Sequence, residues 1–492
     1  VILQAAIVRP DHFGRTHPDP RDDPPTVILD PSRAPTEELQ QVVPETHRIP
    51  TVQGDSAYPA SAYPEGADPY SEADTAGIPI VGPGGGGAGA SGRALSALLG
   101  SAGALVGWLV AAHLVPVAVL GEAQLVVSVL LLVGGLAPLT IWPMRRRRPG
   151  SLAWMALLLV LPLAALVGLG CALLVPRLGA VATGPGVAPI IGLLLVALGC
   201  AGRGVLATHD ILLAAAGKPR WAVWPSALFA PAQIGALIAL CAVAGLGTYG
   251  AVLSWLGPIG VWAVLGVAVV PVLVRRAPAQ SGPAQSGELP SRFPAAISLV
   301  GTALLYHLVP VVVTVRFGPE TGAAFFVAWQ VFVVVDLAAA YAVHALSGAV
   351  AREPGRTAEL VARARRRLLI VFLPVIALGA ALAGPLLTAF GTAYAEAGDL
   401  LRLLLLGLAF RLVVTHELGV RQALGQGVGF DRLQLFSAVL VLVVAIALPL
   451  TTVGVTELRL VAIGYIIVQV ACAAAVLVIP AARRTDVEVR AP

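Results

Sequence analysis

The sequence predicts an all-α integral membrane protein of about twelve transmembrane helices in two six-helix lobes, with a disordered N-terminal tail. Three observations predict it. Of 492 residues, 57% are hydrophobic and only 12% are charged, against about 25% charged in soluble domains, and the mean hydropathy is +0.86. A soluble globule is excluded. The excess is Leu, Val and Ala in runs of about twenty, the length that crosses about 30 Å of hydrocarbon at about 1.5 Å per residue. Between the runs, arginine gathers in every second loop.

The tail comes first. Residues 1 to about 92 hold 13 acids against five arginines, with many prolines, the near-repeat Ser56-Ala57-Tyr58-Pro59 and Ser61-Ala62-Tyr63-Pro64, and a glycine-rich stretch from Gly84 to Gly92. Such a segment buries too little apolar surface to offset its ordering entropy, so it is expected to be disordered. Thr26 and Thr51, beside prolines, are candidate docking sites for a cytoplasmic protein or kinase; a solvated low-complexity arm is the simpler reading. The opening Val1-Ile2-Leu3-Gln4 lacks the charged start and apolar core of a signal peptide, so insertion is expected to be directed by the first span.

From Arg93 onward, spans are expected at about 94–114, 117–139, 152–175, 187–213, 220–246, 250–274, 294–316, 321–349, 367–389, 397–424, 433–452 and 457–479. Loop charge tests this count independently of hydropathy, because cytoplasmic loops concentrate Arg and Lys. With the amino terminus inside, the inner loops hold Arg145 to Arg148, Lys218 with Arg220, Arg275, Arg276 and Arg292, the Arg352 to Arg367 cluster, Arg432, and Arg483, Arg484 and Arg490. The outer loops hold little beyond Arg177 and Arg316. Twelve spans with both termini cytoplasmic, in a bacterial cytoplasmic membrane, fit this pattern. Trp142, Trp154, Trp221 and Trp224 fall at span ends and suit the aromatic belt. The run Arg363 to Arg367 follows Glu359 at helical spacing and is expected to form an amphipathic turn on anionic headgroups before the next span.

The connection at 276–293, with Pro-Ala-Gln-Ser-Gly repeated inside it, is the longest between spans and separates a first lobe at 93–275 from a second at 294–480, with a cytoplasmic tail at 481–492. The halves echo each other. Arg203 precedes Gly217 by the interval that separates Arg411 from Gly425; Thr208-His209-Asp210 matches Thr415-His416-Glu417 one position out of register; and His113-Leu-Val-Pro-Val117 recurs as His307-Leu-Val-Pro-Val311. A parallel duplication would place the substrate site between the lobes.

No Walker loop, zinc signature, nucleophile elbow or dinucleotide fingerprint occurs, and nothing points to nucleic acid, a metal or a cofactor. Cys171, Cys200, Cys241 and Cys472 lie in apolar runs without CxxC spacing, as small buried hydrophobes. What remains is a short set of ionisable residues inside spans, each costing at least about 2.5 kcal/mol at mid-bilayer unless it faces protein or water. Arg203 and Arg411 occupy equivalent places in the proposed repeats, and their guanidinium groups suit bidentate bonding to phosphate. The alternative is that each neutralises an acid on a neighbouring helix, such as Asp336. Asp336 itself suits a proton or cation carrier, or the partner of an arginine. His307, His344 and His416 titrate near neutrality or simply pack as polar helix residues. Asp210 and Glu417, near the cytoplasmic ends, are expected to cap or pair with loop arginines. The cavity candidates are therefore Arg203, Arg411, His307, Asp336 and His416.

Several motifs resemble the polysaccharide flippases of the multidrug/oligosaccharidyl-lipid/polysaccharide exporter superfamily. They are Gly92-Arg93-Ala94-Leu95-Ser96 with the turn at Gly121-Glu122-Ala123, Gly318-Pro319-Glu320-Thr321-Gly322 with Ala328-Trp329-Gln330, Phe390-Gly391-Thr392-Ala393-Tyr394-Ala395-Glu396-Ala397 running into Leu400-Leu401-Arg402-Leu403-Leu404, and Gly425 before the eleventh span. The resemblance covers most of residues 92 to 480 and says nothing of the tail. It implies two six-helix lobes around a cavity open alternately to each side. It also implies flipping of undecaprenyl-diphosphate-linked oligosaccharide, with cavity cations meeting the diphosphate at Arg203 and Arg411. The lipid-II branch of the superfamily, with additional spans and more cavity arginines, fits less well. So does the drug-exporting branch, since the first span holds no acid.

The expected partners are a lipid-linked oligosaccharide and membrane lipids, and no enzyme chemistry is expected. The competing readings are an ion-coupled drug or metabolite antiporter of the same fold, depending on Asp336, and a non-transporting membrane scaffold acting through its acidic tail. An integral glycosyltransferase would show a large, charged outer loop, and these loops are short.

Overall fold

The computed structural model describes residues 88–141, 149–183, 188–215, 221, 223–275, 293–424, 428–447 and 457–478. The tail before Ala88, the inner-loop arginines Arg145 to Arg148, the 276–292 connection and the C-terminal residues after 478 lie outside them.

Everything described is helix and short connection. The first half comprises α1 (Ala88–Leu114), α2 (Val117–Leu136), the short α3 (Pro138–Ile141), α4 (Pro149–Leu174), α5 (Pro176–Thr183), α6 (Pro189–Ala215), α7 (Val223–Leu237) and α8 (Gly247–Arg275). The second comprises α9 (Phe293–Ala303), α10 (Val309–Phe317), α11 (Pro319–Arg352), α12 (Thr357–Ala381), α13 (Ala383–Thr388), α14 (Gly398–Ala423), α15 (Val428–Ala447) and α16 (Leu458–Val478).

Among the described residues, eight helical stretches are long and apolar enough to cross a membrane, and Leu99–Leu114 and Arg432–Ala447 are shorter apolar helices. The two long helices left, α12 and α14, carry the charges of Arg363 to Arg367 and of Arg402, Arg411, Glu417 and Arg421. Counted by chain order, these are the twelve spans, with α9 and α10 forming the seventh. The chain is a multi-pass membrane protein. Large apolar side chains such as Leu158, Leu166, Leu198, Val264 and Ile467 stay exposed, as expected where the surrounding solvent is lipid. Trp221 and Trp224 are exposed at the start of α7, where an aromatic belt would hold them.

Without a hydrophobic drive between helices in lipid, small residues set the packing. On α6, a Cβ at Gly202 would come within 2.8 Å of Ile259 on α8, one at Gly204 within 3.0 Å of Val160 on α4, and one at Gly199 would run into Leu256. The three glycines seat α6 between α4 and α8, its main neighbours in the first half. In the second half α14 packs on α11, α12 and α16, and α15 on α9. The halves meet chiefly through α1 and α2 against α9, α10 and α11. Gln124 on α2 hydrogen-bonds Thr314 on α10 and accepts from Ser128 at 3.1 Å. Trp108 on α1 stands edge-on to Phe326 on α11 at 4.8 Å. Gly121 lies directly against the Pro319 carbonyl. Pro319 can open α11 this tightly because Gly318 adopts a positive φ of 90°, a turn that only glycine makes without strain.

Three details depart from the sequence-based expectations. The Arg363 to Arg367 run does not lead into a helix starting near 367; α12 is already continuous from Thr357. No Gly or Pro interrupts it there, and Arg356 and Arg363 pair with Glu359 along the exposed face. A short helix, α5, follows the third span and was not anticipated. The seventh span widens into a π-turn at Leu304–Leu308. Pro310 has no N–H to offer the carbonyl four residues back, that of Tyr306, and the Trp329 indole donates to that carbonyl instead, at 3.2 Å.

Candidate functional site

Arg203 and Arg411 lie well inside equivalent spans, and their surroundings are built on the same plan. In the second half, Arg411 on α14 faces Asp336 on α11. The guanidinium Nε donates to Asp336 Oδ2 at 2.6 Å, and the Tyr306 hydroxyl donates to the same oxygen at 2.7 Å. Asp336 is 1% exposed and Arg411 5%. Trp329, Phe332 and Tyr465 enclose the cluster, with Phe332 edge-on to Tyr465 at 5.3 Å. Two of the sequence candidates thus meet as an ion pair, the structural alternative foreseen for them.

In the first half, Arg203 on α6 crosses α2 at Gly134. A Cβ there would sit 2.5 Å from Arg203 Cγ and 3.4 Å from its Nε. The guanidinium makes no ion pair or hydrogen bond among the described residues, and the residue is half-buried. Asp210, on its own helix, and His307, from the other half, lie within electrostatic range of it. His307 sits in the π-turn of the seventh span, with its Cδ2 at 4.0 Å from the Cβ position of Gly135. The Gly134-Gly135 step is therefore the floor over which Arg203 and His307 approach each other from the two halves.

The correspondence can be counted. Gly134 and Asp336 each lie 17 residues after the first residue of α2 and α11 (134−117 and 336−319). Arg203 and Arg411 lie 14 and 13 residues after the first residues of α6 and α14 (203−189 and 411−398). These helices are the second, eighth, fourth and tenth spans, six apart in each case. Where the second half places a carboxylate opposite its arginine, the first half places a glycine.

Two other expectations meet the structure differently. His416 lies against α12, its Nε2 3.4 Å from the Val361 carbonyl, and is not brought to Arg203 or His307. The His113 and His307 repeats are not equivalent. The first closes α1 next to the turn at Pro116, while the second lies inside a span. Glu417 pairs with Arg421 at 3.2 Å, whereas the inner-loop cations expected to meet Asp210 lie outside the described residues. The His344 side chain lies outside the described residues. Sequence reading missed Gly134 and Tyr306, neither of which has a signal of its own in an apolar helix.

Solved structures give the architecture its place. An inward-facing multidrug resistance MATE family transporter of the MOP superfamily matches with a TM-score of 0.53 at 16% identity, over 81% of this chain and 96% of that one. A MOP superfamily transporter from Pyrococcus furiosus, for which a reversed polarity of the binding pocket suggests a different function, matches with 0.53 at 17% identity, over 79% and 93%. The fold is that of MATE transporters. A further match, to MATE in complex with MaL6, has a TM-score of 0.51 at 17% identity over 78% and 92%. No protein-family model and no curated protein sequence matches the chain. Within the MATE fold, the Arg203 and His307 approach falls where the two halves of the molecule meet.

Proposed function

We propose that this chain is a flippase that moves undecaprenyl-diphosphate-linked oligosaccharide across the bacterial cytoplasmic membrane by alternating access, with Arg203 as the cation that meets the diphosphate. One juxtaposition carries this reading: Arg203 stands opposite Gly134 where its counterpart Arg411 stands opposite Asp336. A guanidinium with no carboxylate in direct contact inside a span costs at least about 2.5 kcal/mol. An anionic headgroup entering between the halves offsets that cost by taking the place of the missing carboxylate, through the bidentate geometry that suits guanidinium to phosphate. The function is binding and gating, with no bond made or broken.

The fold leaves the sign of the pocket open, as the reversed polarity described for the Pyrococcus furiosus transporter illustrates. An antiporter working through Asp336 gains no support from geometry, since that carboxylate is already held by Arg411 and Tyr306. The arginine-rich inner loops support an orientation with both termini cytoplasmic. The acidic tail then becomes a cytoplasmic arm for a protein or kinase partner.

The test is sequestration of a fluorescent undecaprenyl-diphosphate sugar by proteoliposomes. The wild type accelerates flipping over empty liposomes, and Arg203→Ala loses roughly tenfold or more, the worth of one charged hydrogen-bonded contact. Gly134→Asp, which supplies the internal counterion, suppresses flipping further than Gly134→Asn, which has the same bulk without the charge. No acceleration by wild type sinks the flippase; equal effects of Asp and Asn sink the counterion argument.

A further inference from the structure

Asp210 is the second half-buried charge on α6. It lies seven residues beyond Arg203 on α6, so at 3.6 residues per turn the two project from one face of the helix about 10 Å apart. Each is within electrostatic range of the other, and no hydrogen bond joins them. In the second half the comparable acid, Glu417, is taken up by Arg421 one turn on.

This arrangement is awkward for a purely anionic ligand. A diphosphate approaching Arg203 from the Ala215 end of α6 passes a carboxylate that repels it. The repulsion turns into attraction if the same headgroup also carries a positive charge. Resting on the flippase reading above, we propose that the site is bipolar: Arg203 takes the diphosphate, and Asp210 takes a free ammonium group on the attached sugar. The substrate class is thereby narrowed to polyprenyl-diphosphate glycans bearing an unacetylated amino sugar. The spacing favours an ammonium over a metal ion, because a divalent cation chelated by the diphosphate lies within a few ångströms of the phosphates, well short of the separation along α6.

The experiment compares two synthetic lipids, polyprenyl-diphosphate glucosamine and its N-acetyl form, which differ by one positive charge. Equilibrium binding to the detergent-purified full chain is measured for wild type, Asp210→Asn and Asp210→Glu, each with and without EDTA. The wild type is expected to bind the free amine roughly tenfold more tightly, the scale of one charged hydrogen bond. Asp210→Glu keeps the preference, and Asp210→Asn abolishes it by weakening only the amine form. EDTA changes neither. Equal binding of both lipids by wild type, or a preference surviving in Asp210→Asn, overturns the bipolar site while leaving the flippase standing. A preference that EDTA removes overturns it in favour of a chelated metal. Failure of both lipids to bind overturns it together with the flippase.

Discussion

Neutralising Asp336 is the sharpest perturbation of the fold. Its carboxylate is 1% exposed and Arg411 is 5% exposed, with 2.6 Å between Nε and Oδ2. Asp336→Asn strands a buried guanidinium and is expected to cost about 3–5 kcal/mol, as does Arg411→Gln from the other side. Replacing both by apolar residues of similar volume, Asp336→Leu with Arg411→Met, removes two desolvation penalties together and is expected to lie near wild type. Removing the Tyr306 hydroxyl, whose 2.7 Å bond goes to the same oxygen, is a smaller matter. Hydrogen bonds between helices in membranes average about 0.6 kcal/mol and reach about 1.7, so Tyr306→Phe falls in that range. The assay is reversible unfolding in mixed micelles for wild type, the singles and the double. Asp336→Asn within about 1 kcal/mol of wild type, or a double variant as damaged as the summed singles, refutes a coupled ion pair. Flipping supplies the second readout. A stable double variant that still flips confirms that Arg411 serves the scaffold, and a stable double variant that does not flip returns the pair to the transport site.

Gln124 and Thr314 join the halves across α2 and α10, so Gln124→Cys with Thr314→Cys, bridged by a short thiol-reactive cross-linker that spans the lost glutamine, is expected to stop transport; unimpaired transport by the cross-linked protein shows that the halves do not part there. The His209 imidazole fills the space in front of Gly266, so Gly266→Ala overpacks that contact at about 1–3 kcal/mol, and a neutral result in the same unfolding assay refutes the fit. Glu359 is held below the usual carboxylate range by its hydrogen bond from Arg356, reinforced by the charges of Arg356 and Arg363. Because its folded value is the depressed one, any stability it lends is present above the ordinary carboxylate range and fades as pH falls through its own lower value. Both partners are exposed, so Glu359→Gln is expected to leave global unfolding unmoved, and a shift rivalling that of Asp336→Asn contradicts this.

The order and number of the spans are legible from hydropathy and loop arginines alone, because the bilayer fixes helix length and charge asymmetry fixes the alternation. The irregularities are not. The π-turn at Leu304–Leu308 reflects the clash of Pro310 with a continued α-helix, and Pro162, Pro231, Pro258 and Pro271 also lie inside helices, so proline alone does not announce where a helix widens. The pairing of Arg411 with Asp336 was legible as an alternative because both charges stand out against apolar runs. Gly134 was invisible for the opposite reason: in a chain with 53 glycines, none advertises that it stands in the place of an acid. Only the equal count from the helix starts, 17 residues in each half, gives it meaning. The same count separates the Arg203 and Arg411 match from the His113 and His307 match, which shares letters but not position.

That correspondence also limits what a charge can do. If an arginine opposite a glycine were sufficient for anion binding, Asp336→Gly would create a second site around Arg411. It is expected not to. Arg411 is enclosed by α11, α12 and α16, with Tyr306, Trp329 and Tyr465 filling the space around the carboxylate. A phosphate entering there would lose its hydration without gaining room, and the variant would carry the cost of a stranded guanidinium instead. Arg203, by contrast, is half-buried and lies where the two halves meet, which is where the flippase reading brings the ligand in. Binding of the diphosphate lipid to Asp336→Gly is therefore expected to match wild type in stoichiometry while the protein loses stability. A second equivalent of bound lipid would show that the missing carboxylate alone makes the site, and that the position of Arg203 between the halves is incidental.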